Sequence, residues 1–466
     1  MSFTSPSFLG FVLIVLAGAA GLRQRWRMGF LTLMSFVFYA WAYPPHVLIL
    51  LGSCLVDYRI GRWMSADRAP RWRSVLLMAS ITVNVGLLAT FKYAAFLASG
   101  VNQTLAALGL GVSLPVPTLV LPLGISFYTF EALSYTVDVY RRTCRPARSF
   151  LEYAMFISWF PRLMAGPIVR AAQFLPQIPG HRPLERPATI RGVELVLAGY
   201  FKKCVVADNC SSAVTQVFNS TQPLGGAAVW AGALLFSAQI YADFSGYSDI
   251  ARGLSKLFGF DLPANFRWPY FSGSVVEFWR RWHITLSSWI RDYLYLPLGG
   301  RSGGVAGVAV LAVVWFLCGL WHGAAYTFIA WGLYHGLLVL AEHRLGGRLA
   351  LPRALTVPAT FAAILISWVL FRSPDLATAA RLVQEMLWVS AARPFLMGIG
   401  PLLQPLAWVG LAAAAHALSY WLRYDVDERP ILSRLPYPAR AVTVAVAMLA
   451  IVLLAGEEHA FIYFQF

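Results

Sequence analysis

The chain has 466 residues, of which 58% are hydrophobic and 12% charged, and its mean hydropathy is +0.62. Soluble domains carry about 25% charged residues, so this composition excludes a string of ordinary soluble domains and points to one polytopic membrane domain. The formal charge of +16 comes from 33 Arg and 4 Lys against 21 acids, and no basic run with interleaved aromatics lies outside membrane-proximal sequence; it reads as cytoplasmic loops facing anionic headgroups, and no nucleic-acid partner is expected. The five Cys form no CxxC pair and read as structural thiols, with no metal site.

The first apolar run, 8–21, is followed by Arg23, Arg25 and Arg27, which predicts a retained first span with its N-terminus outside. Further spans are expected at 28–43, 46–56 and 74–97, with the Arg-rich stretch 59–73 inside. Segment 98–120 has no Lys or Arg and is expected outside as a loop. The next span returns near Asp138 to Arg141, Arg142, Arg145 and Arg148. Segment 153–168 is broken by Pro161 and Gly166-Pro167, and its two flanks share a side. It is expected to be re-entrant, with backbone buried in protein or lining a cavity. A short span at 191–206, interrupted by Lys202 and Lys203, then an external loop at 208–226 and a span at 227–250 follow. At about 20 residues per crossing, the whole chain suggests eleven or twelve transmembrane helices, an all-α fold with added re-entrant and interfacial helices.

Segment 252–301 carries seven basic residues and is too polar to cross. Within it Trp279, Trp282, Leu286, Trp289 and Tyr293 recur at helical spacing. This predicts one amphipathic helix in the cytoplasmic interface, with His283 beside the stripe and near Trp279. The run 305–341 contains no Asp, Glu, Lys or Arg. As one helix it would measure about 55 Å against a hydrocarbon core of about 30 Å. Two short helices are expected instead, broken near His322, which Gly319 and Gly323 flank. Spans at 355–370, 403–422 and 442–454 complete the chain, and the tail 456–466 is placed outside.

His322 is the first candidate catalytic residue. A titratable ring in lipid-grade sequence lines a cavity or does chemistry, and imidazole can take a proton from a hydroxyl near neutral pH. A hydrogen-bonded core histidine is the alternative. His283 can orient an acyl donor or stabilise an oxyanion. His335 reads as a packing residue, and His46, His181, His343, His416 and His459 as loop or interface positions. The block 241–249 sets Asp243 and Asp249 among hydroxyls that include Ser245. A bracing polar network is favoured there over paired acids. The tail 461–466 holds four aromatics in six residues. It is either an interfacial anchor or a place where the Tyr463 phenol carries an acyl group.

Placed together, these pieces resemble the membrane-bound O-acyltransferase family, in particular its bacterial branch of alginate O-acetyltransferases and teichoic acid D-alanyl transfer proteins. The resemblance rests on Leu121-Pro122-Leu123-Gly124-Ile125-Ser126-Phe127-Tyr128-Thr129-Phe130, on Phe160-Pro161-Arg162 with Gly166-Pro167-Ile168, and on the 243–249 block. It rests most firmly on Asn265-Phe266, Phe278-Trp279-Arg280-Arg281-Trp282-His283 and Trp321-His322-Gly323. It implies a single domain over 1–466 with 461–466 as an aromatic tail, and tilted helices around a thin centre that funnels reach from both faces. His322 matches the family's catalytic histidine, His283 its supporting polar residue, and Tyr463 a proposed acyl carrier. No bound cofactor is expected. The implied donor is acetyl-CoA, entering beneath the 279–293 helix, where Arg280, Arg281 and Arg291 can meet phosphates. Asn265, Asp243, Ser245 and Trp321 are further candidates for contacting donor or substrate.

The implied activity is O-acetylation of an extracytoplasmic polysaccharide, alginate-type as first choice. The expected setting is a bacterial inner membrane, among membrane lipids and periplasmic acetyltransferase-like partners. Two alternatives are D-alanyl transfer from a carrier protein and a polytopic transporter of lipid-linked glycans. The transporter explains neither the His283 helix nor the broken His322 hairpin.

Overall fold

The computed structural model describes residues 1–65, 69–178, 186–345, 351–387, 400–422 and 430–462. Among them the regular elements are all helical, without a strand, as the composition predicts. Five helices are long and apolar enough to cross a membrane: Pro70–Ala107, Gly226–Leu257, Gly304–His322, Arg353–Arg372 and Tyr437–Leu454. The count of eleven or twelve also includes shorter helices such as Pro6–Gly21 and more polar ones. His46–Ser65 and Arg186–Tyr200 are of the polar kind; they turn Asp57 and Glu194 into protein.

Two boundaries differ from expectation. The helix through 74–97 does not end there but continues, through a π-helical turn at Ala89–Tyr93, to Ala107. Likewise Arg186–Tyr200 passes through a π-helical stretch, Phe201–Ala207, into Asp208–Phe218, where a loop was expected. A lack of Lys and Arg indicates which side of the membrane a segment favours and says nothing of its backbone. The π-helical stretches hold Lys92, Lys202 and Lys203; one extra residue per turn re-aims the side chains that follow.

The chain forms two compact units, 1–184 with 257–262, and 185–256 with 263–466. In the first unit the buried Asp57 carboxylate accepts hydrogen bonds from Ser80 Oγ at 2.6 Å and Asn84 Nδ2 at 2.9 Å. The segment expected to be re-entrant has the predicted irregularity. Helix Phe150–Ser158 breaks at Trp159, a single turn Phe160–Leu163 follows, and every residue from 152 to 169 is buried. Non-helical backbone at such depth needs partners within the protein. Glu131 supplies one, accepting the Val169 N–H at 3.1 Å while pairing with Arg162.

In the second unit, glycines let helices touch through their backbones. The position of a Cβ on Gly246 is taken by the Gly199 carbonyl, and seven residues on, that of Gly253 by the Gly192 carbonyl. This is the small-residue crossing by which helices approach closely in membranes. The charge-free run is two helices, Gly304–His322 and Tyr326–Leu345, as length alone predicts. Gly319 and Gly332 face each other across that hairpin, each against backbone of the opposite helix. Gly246→Ala should cost about 1–3 kcal/mol through overpacking and lower the melting temperature in detergent. Gly10→Ala, with open space around the position, should leave the melting temperature unchanged or raise it slightly.

Candidate active site

The stripe from Trp279 to Tyr293 is not one helix. Val275–Arg281 ends at Trp282, whose backbone is extended. His283 then adopts the left-handed region, at φ 42° and ψ 52°, and Ile284–Ile290 begins a new helix leading into a π-helical turn, Arg291–Tyr295. The stripe is also buried: Trp279, Trp282, Leu286 and Trp289 all lie in the core rather than on an interface. The relation expected between His283 and Trp279 therefore does not hold. A non-glycine residue in this conformation costs on the order of 1–3 kcal/mol and persists only where its surroundings enforce it.

Asn265 does the enforcing. Its main-chain carbonyl accepts the Ile284 N–H at 2.9 Å. Its side-chain Oδ1 accepts the Thr285 N–H at 3.3 Å and the Thr285 hydroxyl at 2.9 Å, and lies 3.1 Å from His283 Nδ1. Its Nδ2 donates to Ser248 Oγ at 3.3 Å, tying the break to helix Gly226–Leu257. A backbone N–H can only donate, so the atom beside Thr285 is the amide oxygen. His283 Nδ1 must then carry its proton, and Nε2 is the basic nitrogen. Burial holds the His283 pKa down at about 3. The ring is thus neutral, which leaves Nε2 with the lone pair and able to accept a hydrogen bond. Stabilising an oxyanion from Nε2 would need the imidazolium, which the site disfavours.

His322 ends helix Gly304–His322 at the break between the two apolar helices, and only 5% of it is exposed. Its ring meets Trp321, Trp331 and Phe371 at centroid distances of 4.9, 4.8 and 5.5 Å, each close to perpendicular. Trp321 also lies 6.2 Å from His283, and Phe244 packs on His283 at 4.6 Å. One indole therefore touches both histidines, which are 39 residues apart in sequence. The lining is aromatic, and in such a low-dielectric setting each polar group on a substrate counts for more than in water. His335 accepts from Trp279 Nε1 at 3.2 Å and stacks on Trp315 at 5.5 Å, a packing residue as expected.

The remaining candidates are dispersed. Arg281 pairs with Glu277 at 2.6 Å, Arg291 with Asp292 at 2.7 Å, and Arg280 is exposed. Ser245 is buried. Asp243 belongs to a polar network, as favoured from sequence: it lies 3.0 Å from Lys203 Nζ and accepts the Ile462 N–H at 2.7 Å. Asp249 pairs separately with Lys202 at 2.6 Å. Phe461 and Ile462 are buried, and Tyr463 lies outside the described residues, as does His181. Two histidines expected in loops or at an interface are elsewhere: His46 is buried at the start of a helix, and His416 lies within Gly400–Trp421, against Phe271 and Tyr241. Lys203, read from sequence as an interruption, is the residue missed. The signal was two adjacent lysines preceding two aspartates spaced six apart.

Residues 145–370 match the family model described as MBOAT, membrane-bound O-acyltransferase family, a stretch that contains both His283 and His322. The chain is 38% identical over 396 residues to the probable alginate O-acetylase AlgI of Pseudomonas aeruginosa, covering 83% of this chain and 75% of that protein. The chain belongs to the membrane-bound O-acyltransferase family. Transferases with two other names are also similar. The peptidoglycan O-acetyltransferase of Helicobacter pylori is 33% identical over 419 residues, covering 83% of this chain and 78% of its own. The teichoic acid D-alanyltransferase of Bacillus subtilis is 28% identical over 239 residues, 48% of this chain and 60% of its own. The protein is thus a polytopic membrane acyltransferase of the branch that its motifs indicate.

Two outcomes follow from the His283 geometry. Among side chains other than glycine, Asn best tolerates left-handed backbone and offers an acceptor oxygen. His283→Asn should keep measurable acyl transfer, whereas β-branched His283→Val should lose it at least a hundredfold. A neutral His283 also contributes no titration near neutrality. The acid limb of the pH–rate profile should therefore sit at the same pH in His283→Asn as in the wild type. For stability, the lowered folded-state pKa favours the fold fully above the unfolded value of about 6.5. That contribution declines as pH falls from there towards about 3.

Proposed function

We propose that this acyltransferase moves an acetyl group from cytoplasmic acetyl-CoA across the bacterial inner membrane, for O-acetylation of an extracytoplasmic polysaccharide of the alginate type. The observation that carries the reading is the seat of His322. It stands at a break between two apolar helices and shares the Trp321 ring with His283. In the proposed step an acceptor hydroxyl attacks the thioester carbonyl while His322 takes its proton. A carbon–oxygen bond forms, the carbon–sulfur bond breaks, and the proton leaves on the CoA thiol. Neutral His283 orients donor or acceptor by accepting a hydrogen bond at Nε2. Arg280, exposed on its short helix, is the candidate for meeting the CoA phosphates.

The acceptor at this step is assigned to the Tyr463 phenol. The acetyl group then passes to polymer hydroxyls through a periplasmic acetyltransferase-like partner. The burial of Phe461 and Ile462 supports a tail that enters the protein rather than lying on its surface. The Pseudomonas aeruginosa relative, named for alginate, covers more of this chain at higher identity than the D-alanyltransferase does, which favours acetyl over D-alanyl transfer.

His322→Ala at wild-type expression should abolish polymer acetylation, measured as ester acetate on secreted polysaccharide; retention of wild-type acetate would refute the mechanism. Tyr463→Phe should fold normally and abolish acetyl export. Mass spectrometry of the wild-type enzyme given acetyl-CoA without polymer should find acetyl on Tyr463. D-alanyl on that residue when charged carrier protein is supplied, and no acetyl with acetyl-CoA, would transfer the assignment to the D-alanyl reading.

A further inference from the structure

The chain beyond its last helix runs half-exposed until Phe461 and Ile462, which are buried, and its main chain meets a charge cluster of the second unit that the transfer chemistry does not use. Gly456 N–H donates to the Cys204 carbonyl at 2.9 Å, and Asn209 Nδ2 donates to the Leu454 carbonyl at 3.0 Å. Lys203 Nζ then donates to the His459 carbonyl at 2.8 Å, and Ile462 N–H donates to Asp243 Oδ2 at 2.7 Å. Lys203 is 2% exposed and lies between two buried carboxylates, Asp208 at 2.8 Å and Asp243 at 3.0 Å. A buried lysine and two buried aspartates leave a net negative charge if all are ionised. The Ile462 N–H meets one carboxylate, and the His459 carbonyl takes one ammonium proton. Main chain of the tail thus supplies hydrogen bonds of the kind that buried charged groups require.

The seat leads towards the site. Phe461 packs on Tyr247 at 4.2 Å and on Phe244 at 5.9 Å, and Phe244 packs on His283 at 4.6 Å. We infer that Lys203 and Asp243 are positioning residues, which clamp the segment His459–Ile462 by its main chain and so set the reach of the residue after it towards the acyl-transfer site. The inference rests on the reading of Tyr463 as acyl acceptor for its functional part, and on the contacts above for its structural part. The clamp reads backbone and charge, so it tolerates side-chain changes in the tail and fails when either charge is lost. Within the π-helical stretch Phe201–Ala207, Lys203 faces this seat while its neighbour Lys202 pairs with Asp249.

Hydrogen–deuterium exchange of the full chain in detergent tests the clamp. In the wild type, the amides of Gly456 and Ile462 should exchange slowly. Lys203→Met and Asp243→Asn should speed exchange across 456–462 at least tenfold, leave the hairpin Gly304–His322 and Tyr326–Leu345 at wild-type exchange, and cut acetylation at least tenfold. Lys203→Arg should restore most of both. Should the charge variants fail to fold, Ile462→Pro removes the N–H that Asp243 accepts while leaving both charges in place, and it should loosen the tail and slow transfer in the same way. Unchanged tail exchange in folded Lys203→Met and Asp243→Asn, or wild-type acetylation with a loosened tail, would overturn the clamp. If Tyr463→Phe keeps full acetylation while the charge variants loosen the tail and slow transfer, the acceptor assignment fails and the clamp stands. If Tyr463→Phe abolishes transfer while the charge variants change nothing, the clamp fails and the acceptor stands.

Discussion

Backbone that leaves helical geometry inside a membrane protein must find its hydrogen bonds within that protein, and in the second unit Asn265 meets this demand. Its main-chain carbonyl and its side-chain oxygen together receive the Ile284 and Thr285 amides, two of the donors that a new helix starting after His283 leaves open. The same oxygen orders the imidazole. Breaking the helix, holding His283 in left-handed backbone and choosing its tautomer are therefore one event. The Ser248 contact then ties that event to helix Gly226–Leu257. A helix that ran straight through 279–293 would carry His283 away from Trp321 and leave the site without its second histidine.

Ion pairs do the corresponding work elsewhere. Buried Arg162 is met by Glu131 and buried Lys203 by Asp208 and Asp243, while the half-buried Lys202 pairs with Asp249. Such pairs add little net stability, because desolvation offsets the attraction. Their effect is on specificity. A charge in a dry interior has very few acceptable neighbours, so each pair fixes the register of one helix against the next. The adjacent lysines 202 and 203 show this, since one π-helical stretch sends them to two aspartates six residues apart on the facing helix.

Much of this was legible in the residues, wherever a hard limit applied. The break near His322 follows from the mismatch between a 37-residue uncharged run and the thickness of a bilayer. The broken, buried stretch that follows Ser158 was signalled by Pro161 and Gly166-Pro167, which cannot continue a helix. Periodicity was less secure. The spacing of Trp279, Trp282, Leu286 and Trp289 fits one helix, yet two short helices joined at a left-handed residue bury the same side chains. The deciding partner, Asn265, sits eighteen residues before His283, beyond the reach of any local pattern. Loop boundaries failed at 98–107 and 208–218 because charge bias sorts sides, not conformations. The seat of the tail was hidden for the same reason of distance: Lys203 meets the His459 carbonyl across 256 residues.

The two histidines are consequently not interchangeable. His283 is bound to Asn265 through Nδ1 and is kept neutral by burial, so it can accept a hydrogen bond but resists becoming a cation. His322 lies against the Trp321, Trp331 and Phe371 rings, where a transient positive charge can be met by aromatic π-systems. Acyl transfer needs a group that gains a proton as the oxygen attacks and loses it as the thiol leaves. It also needs a group whose charge never changes, so that the reactants stay aligned through both steps. The surroundings of His322 suit the first requirement and those of His283 the second. Trp321 packs near both rings, so the two roles proposed for them would share one indole.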